Sequence, residues 1–275
     1  MKSIKDAALP IPAKMGLAII AINIIGALFA PWLAPHNETD TVGDIWMMPS
    51  LHSPLGTDSL GRDMLSRILF GARTTIAIAL AITLSSFVIG IISGFAAALY
   101  GRWVDALLTR AVDTLMSVPV LILALIVLSV LGTSIPVLIM TIALLDATRV
   151  FRLARLVAQG IVCQPYMEAA LLRGEGLGWM LYKEILPNAI GPLLAEFGMR
   201  FCFTLLFIAG LSFLGLGIQP PYADWGGMVR DNAQAINLGQ LAPLYPALAI
   251  ALLTIGVNLV VDWLLARSDL PGRRC

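Results

Sequence analysis

Six long apolar stretches, at about 15–33, 75–99, 111–131, 135–150, 190–216 and 244–265, follow one another along the chain with polar segments between them. A helix needs about 20 consecutive apolar residues to cross a hydrocarbon layer, so the pattern predicts an all-α membrane protein with six transmembrane helices. The first stretch is preceded by Lys2, Lys5 and Lys14 and ends at Trp32. It is too long for the apolar region of a secretory leader, and Pro31 follows its small-residue exit, so it reads as a retained anchor. In the second, Ser86, Gly90, Gly94 and Ala98 recur every four residues, which puts them on one face and lets another helix approach closely. Pro119 bends or weakens the third stretch, and the short fourth begins at Pro136. Such spans are tolerated where protein or a water-lined cavity satisfies the loosened backbone, which makes these two candidates for lining a path.

Composition agrees with the pattern: 59% of the 275 residues are hydrophobic and 13% charged, more apolar surface than a soluble core of this size can hide. The net charge of +1 says little about partners; the placement of the basic residues says more. Six spans put both termini on one side. On that side fall Lys2, Lys5, Lys14, Arg102, Arg110, Arg149, Arg152, Arg155, Arg173, Lys183, Arg267, Arg273 and Arg274, against Arg62, Arg67, Arg73 and Arg230 on the other. The excess of Lys and Arg assigns both termini to the cytoplasm. Trp32, Trp103 and Trp263 lie near expected span ends, as interfacial indoles do.

On the outer side, residues 35–73 form the longest loop. Leu60, Met64 and Ile68 recur at four-residue spacing with Leu65 and Leu69 alongside, and Asp63 and Arg67 can pair on the polar side, which predicts a short amphipathic surface helix before the second span. His36, Glu38, Asp40, Asp44 and His52 have irregular spacing and read as a solvated loop, not a metal site. A second outer loop carries PPYADWGGM, where Pro220, Pro221, Gly226 and Gly227 fix a turn and Trp225 can cover an apolar patch. Within the expected spans lie Asp113, Asp146, Glu196, Arg200 and Asp262. Structural pairing is the reading taken, Arg110 with Asp113, Glu196 with Arg200, and Asp146 and Asp262 with Arg149 and Arg267. The alternative is a self-sufficient ion-coupled carrier using Asp113, Asp146 or Glu196. Cys163, Cys202 and Cys275 share no metal or redox spacing and read as idle or buried thiols.

The longest polar-rich break in the second half is 166–188, YMEAALLRGEGLGWMLYKEILPN. Glu168 to Leu171 favour helix, Gly174, Gly176 and Gly178 interrupt it, and the piece from Trp179 to Leu186 is expected to stop at Pro187. Small Ala169 and Ala170 would let a partner surface approach, and Glu168 offers a carboxylate to its basic groups. Leu171, Leu172, Trp179, Met180, Leu181 and Ile185 make the segment too apolar for an idle connector. The chain has no phosphate-binding GxxxxGK[ST], since no Gly precedes a Lys, and no GxSxG elbow. Energy for transport must come from another subunit or an ion gradient.

The residues Glu168, Ala169, Ala170, Gly174, Leu186 and Pro187 resemble the EAA loop of permease subunits of ATP-binding-cassette importers. GTDSLGRD (Gly56, Thr57, Asp58, Gly61, Arg62 and Asp63 within it), LSFLGLG (Ser212, Gly215, Gly217) and the PP..DWG turn (Trp225, Gly226) are similar to the C-type permeases of the dipeptide, oligopeptide and nickel import systems. Ile208, Ala209 and Gly210 stand where many peptide-type members have a glutamate, a pattern that looks more like the nickel-type branch; Arg200 is a further departure. The resemblance implies a type I importer permease of MetI-like architecture in a bacterial inner membrane, without catalytic residues, cofactor or metal. Its implied partners are a second homologous permease, two cytoplasmic ATPases that the EAA loop engages, an extracytoplasmic solute-binding protein and the lipid bilayer, with no nucleic acid. The segments are then a cytoplasmic N-terminus (1–14), a first span with its outer loop (15–74), a permease domain (75–265) holding the cytoplasmic coupling loop (155–188), and a cytoplasmic tail (266–275).

Overall fold

A computed structural model describes residues 9–268, and among these residues regular structure is helical, apart from the isolated bridges Thr41 to Arg62 and Thr57 to Asp63. Lys2, Lys5, Arg273, Arg274 and Cys275 lie outside the described residues, as does the side chain of Arg267. The helices are α1 (Ile11–Leu28), α2 (Ala30–Leu33), α3 (Met64–Tyr100), α4 (Arg102–Met116), α5 (Val120–Leu131), α6 (Ile135–Val162), α7 (Pro165–Leu172), α8 (Leu177–Met180), α9 (Leu186–Phe213), α10 (Trp225–Asp231) and α11 (Leu244–Ser268). A π turn at Leu181–Ile185 joins α8 to α9, and a 3-10 turn at Ala233–Leu238 follows α10.

Among the described residues, four continuous helical segments are long and apolar enough to cross a membrane: Ile11–Leu28, Met64–Tyr100, Leu177–Phe213 and Leu244–Ala266; α4 and α5 make a fifth if the bent pair is one broken span. Several expected boundaries move. The first span starts earlier, because Pro12 sits in the first turn, where its missing N–H costs nothing, and it breaks at Phe29. The separate amphipathic helix expected around Leu60 to Leu69 does not form; Met64 onward is the start of the 37-residue α3. The third stretch is two helices meeting at 84°, since Pro119 lacks an N–H and disfavours helix at Val118 before it. The fourth is not short. Pro136 occupies the first turn of a 28-residue helix that runs on to Val162.

The chain divides into two compact units, one made of Ile78–Thr204 and the other of the residues before and after it, so both junctions fall inside helices, α3 and α9. In the central unit, the small-residue face of α3 meets α6 as expected. A Cβ on Gly90 would lie 2.6 Å from that of Val150, and one on Gly94 2.8 Å from that of Ala154. Phe87, Phe95, Val150, Ala154, Met167, Ala170, Met180 and Ile185 share its buried core, and Phe87 meets Phe197 edge to face at 5.1 Å. In the other unit, α1 and α11 touch through glycine: a Cβ on Gly16 would meet the Gly256 carbonyl at 2.6 Å.

Candidate coupling surface and motif residues

α7 begins with Pro165 in its first turn, where a missing N–H is harmless, and places Glu168 there too, a favourable position for a carboxylate against the helix dipole. It ends in a left-handed cap. Gly174 has φ +79°, its N–H donates to the Leu171 carbonyl at 2.9 Å, and the N–H of Glu175 donates to the Ala170 carbonyl at 3.2 Å. No neighbour lies within 4 Å of a Cβ built on Gly174, so the backbone angle alone demands glycine. Arg173 folds back over the turn, 3.8 Å from Glu175 and 6.0 Å from the Trp179 ring centre.

Burial sorts the six EAA-type residues. Glu168, Ala169, Gly174 and Pro187 are exposed and Leu186 is half-buried. Ala170 is fully buried beside Met167 in the core of the central unit, so it cannot offer the partner-facing surface expected of it. Its smallness serves the packing of α7 on its own chain. The same packing accounts for most of the segment's apolar content. Met180 and Ile185 are buried, and Trp179 and Leu181 lie partly buried against the same core. Leu171 and Leu172 remain outside, Leu172 at 89% exposure. Pro187 does not stop the second helix as expected; helix continues through it to Phe213. The wider turn at Leu181–Ile185 relieves the clash a proline ring makes with the carbonyl four residues earlier.

The family-motif residues build one hydrogen-bonded assembly in the other unit. Gly56 and Gly61 take φ +76° and +72° on either side of Asp58. The Asp58 carboxylate accepts the N–H groups of Leu60 (2.8 Å) and Arg62 (2.9 Å), and pairs with the guanidinium groups of Arg62 at 2.8 Å and Arg67 at 3.2 Å. Arg67 therefore does not pair with Asp63. One oxygen of the Asp63 carboxylate is taken at the start of α3, where it accepts the Ser66 N–H (2.8 Å) and hydroxyl (2.5 Å). The Thr57 hydroxyl donates to the Asp44 carbonyl at 2.6 Å and accepts the Met47 N–H at 2.7 Å. At the end of α9, Gly215 (φ +89°) makes the same type of cap as Gly174, with Leu216 N–H to Leu211 O at 2.9 Å. The Ser212 hydroxyl accepts the Ile218 N–H at 3.2 Å, and a side chain on Gly217 would collide with Ser212.

Asp224 caps α10 by accepting the Gly227 N–H at 2.8 Å and the Thr75 hydroxyl at 2.9 Å. Burial pushes its carboxyl above the usual range, opposed by these and neighbouring hydrogen bonds. The buried Trp225 donates its indole N–H to the Ile68 carbonyl at 3.0 Å, and a Cβ on Gly226 would press to 2.6 Å from the Ala209 backbone. Asn232, which sequence reading passed over, and Glu38, which it placed in a solvated loop, complete the assembly. The Asn232 side-chain oxygen accepts from the Trp46 indole (3.2 Å) and the Ser59 N–H (2.9 Å), and Glu38 accepts the Ala223 N–H at 2.8 Å. Asp224 carried a readable signal, an N-cap residue directly before a helix. Asn232 had none, because its partners lie more than 170 residues away.

Back in the central unit, each carboxylate considered for ion coupling has a guanidinium partner. Glu196 pairs with Arg200 at 2.6 Å as expected. Asp146 also turns to Arg200, at 3.5 Å, with the Ser86 hydroxyl 3.4 Å away. Asp113 bonds Arg152 at 2.6 Å, not Arg110, because α4 is a separate amphipathic helix that presents its acids to α6. Asp105 likewise takes Arg155, whose hydrogen bonds hold its carboxyl below the usual range.

A model of the family described as "Binding-protein-dependent transport system inner membrane component" matches residues 86–270. The chain is 32% identical to the dipeptide transport system permease protein DppC of Alkalihalophilus pseudofirmus, over 92% of this chain and 83% of that protein. It is 32% identical to the di/tripeptide transport system permease protein DppC of Pseudomonas aeruginosa, over 90% and 84%. A solved amino acid ABC transporter with histidines superposes with a TM-score of 0.49 at 19% identity, over 70% of this chain and 92% of that one.

Proposed function

Since the chain belongs to the binding-protein-dependent transport system inner membrane components, and is thus an ABC importer permease of the bacterial inner membrane, we propose that it forms half of the pathway of a peptide importer and is driven through α7. The relatives named above are permeases of dipeptide and di/tripeptide systems, which favours a small peptide over nickel as cargo in spite of Ile208, Ala209 and Gly210. The chain itself hydrolyses nothing in this reading. A sister permease completes the pore, two ATPases supply the energy, a binding protein delivers the solute from outside, and both termini and α7 face the cytoplasm.

The observation that carries the coupling role is the two-sidedness of α7. Met167 and Ala170 anchor it in the core shared with α3 and α6, while Glu168, Ala169, Leu171 and Leu172 stand exposed, uncovered by any of the described residues. A helix seated so firmly on one side and so apolar on the other suits a rigid lever that a second protein grips. Movement of the seat would carry α3 and α6 with it. The ion-coupled carrier is not favoured, because Asp113, Asp146 and Glu196 are all paired with arginine.

Reconstitution of the four-subunit complex tests this reading. Replacing Glu168→Lys and Leu172→Asp should leave the fold intact, since both side chains are exposed, and should abolish peptide uptake while ATP hydrolysis becomes insensitive to the binding protein. Full ATP-dependent uptake by the double variant would refute it.

A further inference from the structure

α4 is amphipathic yet buries none of its residues. Its position follows from two ion pairs. Asp105 and Asp113 lie eight residues apart, about 12 Å along α4, whereas their partners Arg155 and Arg152 are three residues apart, about 4.5 Å along α6. A helix whose contacts advance so much further along itself than along its neighbour lies across that neighbour. α4 is also bent 84° from α5, the helix that follows it.

Depth is set by α6. Arg152 and Arg155 stand 17 and 20 residues beyond its start at Ile135, about 26–30 Å away. That distance is the thickness of a hydrocarbon core, about 30 Å. α6 falls outside the four continuous apolar segments because Asp146, Arg149 and Arg152 interrupt it; with its stretch 135–150 crossing the bilayer as the sequence predicts, α4 lies across it at the level of the interface from which α7 projects.

The exposed edge of α4 has the composition such a position demands. Trp103 is 79% and Leu107 56% exposed, and beside them Arg102 and Arg110 form no ion pair among the described residues. Both acids of the helix are already held by α6, so the outward charge is basic. Apolar bulk with an indole and basic groups on one surface helix is the pattern that settles at the acyl-headgroup boundary.

We propose that α4 is an interfacial helix, with Trp103 and Leu107 inserted at the boundary of the leaflet on the α7 side and Arg102 and Arg110 binding anionic lipid headgroups. The two ion pairs then connect that leaflet to α6, whose last residue, Val162, stands three before the start of α7 at Pro165. This goes beyond the coupling role above and does not depend on it.

The test uses the reconstituted complex with native cysteines replaced, a Leu107→Cys variant carrying an environment-sensitive fluorophore, and vesicles of equal parts phosphatidylcholine and phosphatidylglycerol. Acyl-brominated lipid should quench the label and aqueous iodide should not. Brominated phosphatidylglycerol should quench more than brominated phosphatidylcholine, and the R102Q/R110Q pair should lower that preference on the order of fivefold per arginine. Quenching by iodide would overturn the proposal. Protection from both quenchers would also overturn it, by showing a protein on this edge, and equal quenching by the two lipids would remove the headgroup role. A Trp103→Cys label provides the same readout if the arginine variants do not fold. Uptake measured on the same vesicles separates this result from the transport reading, which survives any of these outcomes if ATP-driven uptake persists.

Discussion

Removing Arg200 leaves Glu196 and Asp146 facing the space it filled, and the cost can be worked from its surroundings. All three side chains are only 12–13% exposed, the guanidinium holds one carboxylate at 2.6 Å and the other at 3.5 Å, and it stacks at 5.0 Å from the Phe203 ring centre. Breaking a buried pair by deleting one partner costs about 3–5 kcal/mol, whereas replacing the whole cluster by neutral groups of similar volume is close to neutral. Arg200→Met should therefore lower Tm by roughly 10 °C, taking 2–4 °C per kcal/mol for a domain of this size. The triple variant Arg200→Met, Asp146→Asn, Glu196→Gln should recover most of that loss. Thermal unfolding of the complex in nanodiscs reads both, and uptake by the triple variant separates structure from mechanism. If Arg200→Met melts with the parent, or if the triple variant folds normally and transports nothing, the assignment of these charges to structure fails.

Two further expectations follow from the packing. Ala170→Leu should overpack the core under α7 and cost about 1–3 kcal/mol, while Ala169→Leu, one residue away on the exposed side, should leave Tm unchanged. Because burial raises the Asp224 carboxyl, its folded form holds a proton more tightly than the unfolded chain does; stability should fall as pH rises from the ordinary carboxylate range through the raised value. Asp224→Asn should flatten that slope while losing one of the two side-chain acceptors used by Gly227 and Thr75, and a scan of Tm against pH reads both effects.

What could be read in advance was local. Gly174 ends α7 through positive φ, and Glu196 meets Arg200 because four residues bring both to one helix face. The α3 stripe at Gly90 and Gly94 likewise announces a close helix neighbour, though not that α6 is the neighbour. Long-range choices were not legible. Asp113 has Arg110 within reach on its own helix and bonds Arg152 instead, and Arg67 passes over Asp63 for Asp58. Each outcome depends on competing partners that only the folded chain brings together. Pro119 signalled a disruption, but whether it kinks one span or divides two helices turns on the charges of α4, which find their partners on α6. Ala170 was misjudged for the same reason: a small residue suits a partner's surface and a crowded core equally, and burial decides.

Site-directed crosslinking from α7, carried out in membranes containing the whole complex with the native cysteines replaced, bears most directly on the account. The Leu172→Cys variant should crosslink to the nucleotide-hydrolysing subunit, with a yield that changes when ATP is added, whereas Ala170→Cys, buried in the chain's own core, should not. A Leu172→Cys variant that never reaches that subunit, or that is labelled by a membrane-impermeant thiol reagent from outside the cell, would contradict it.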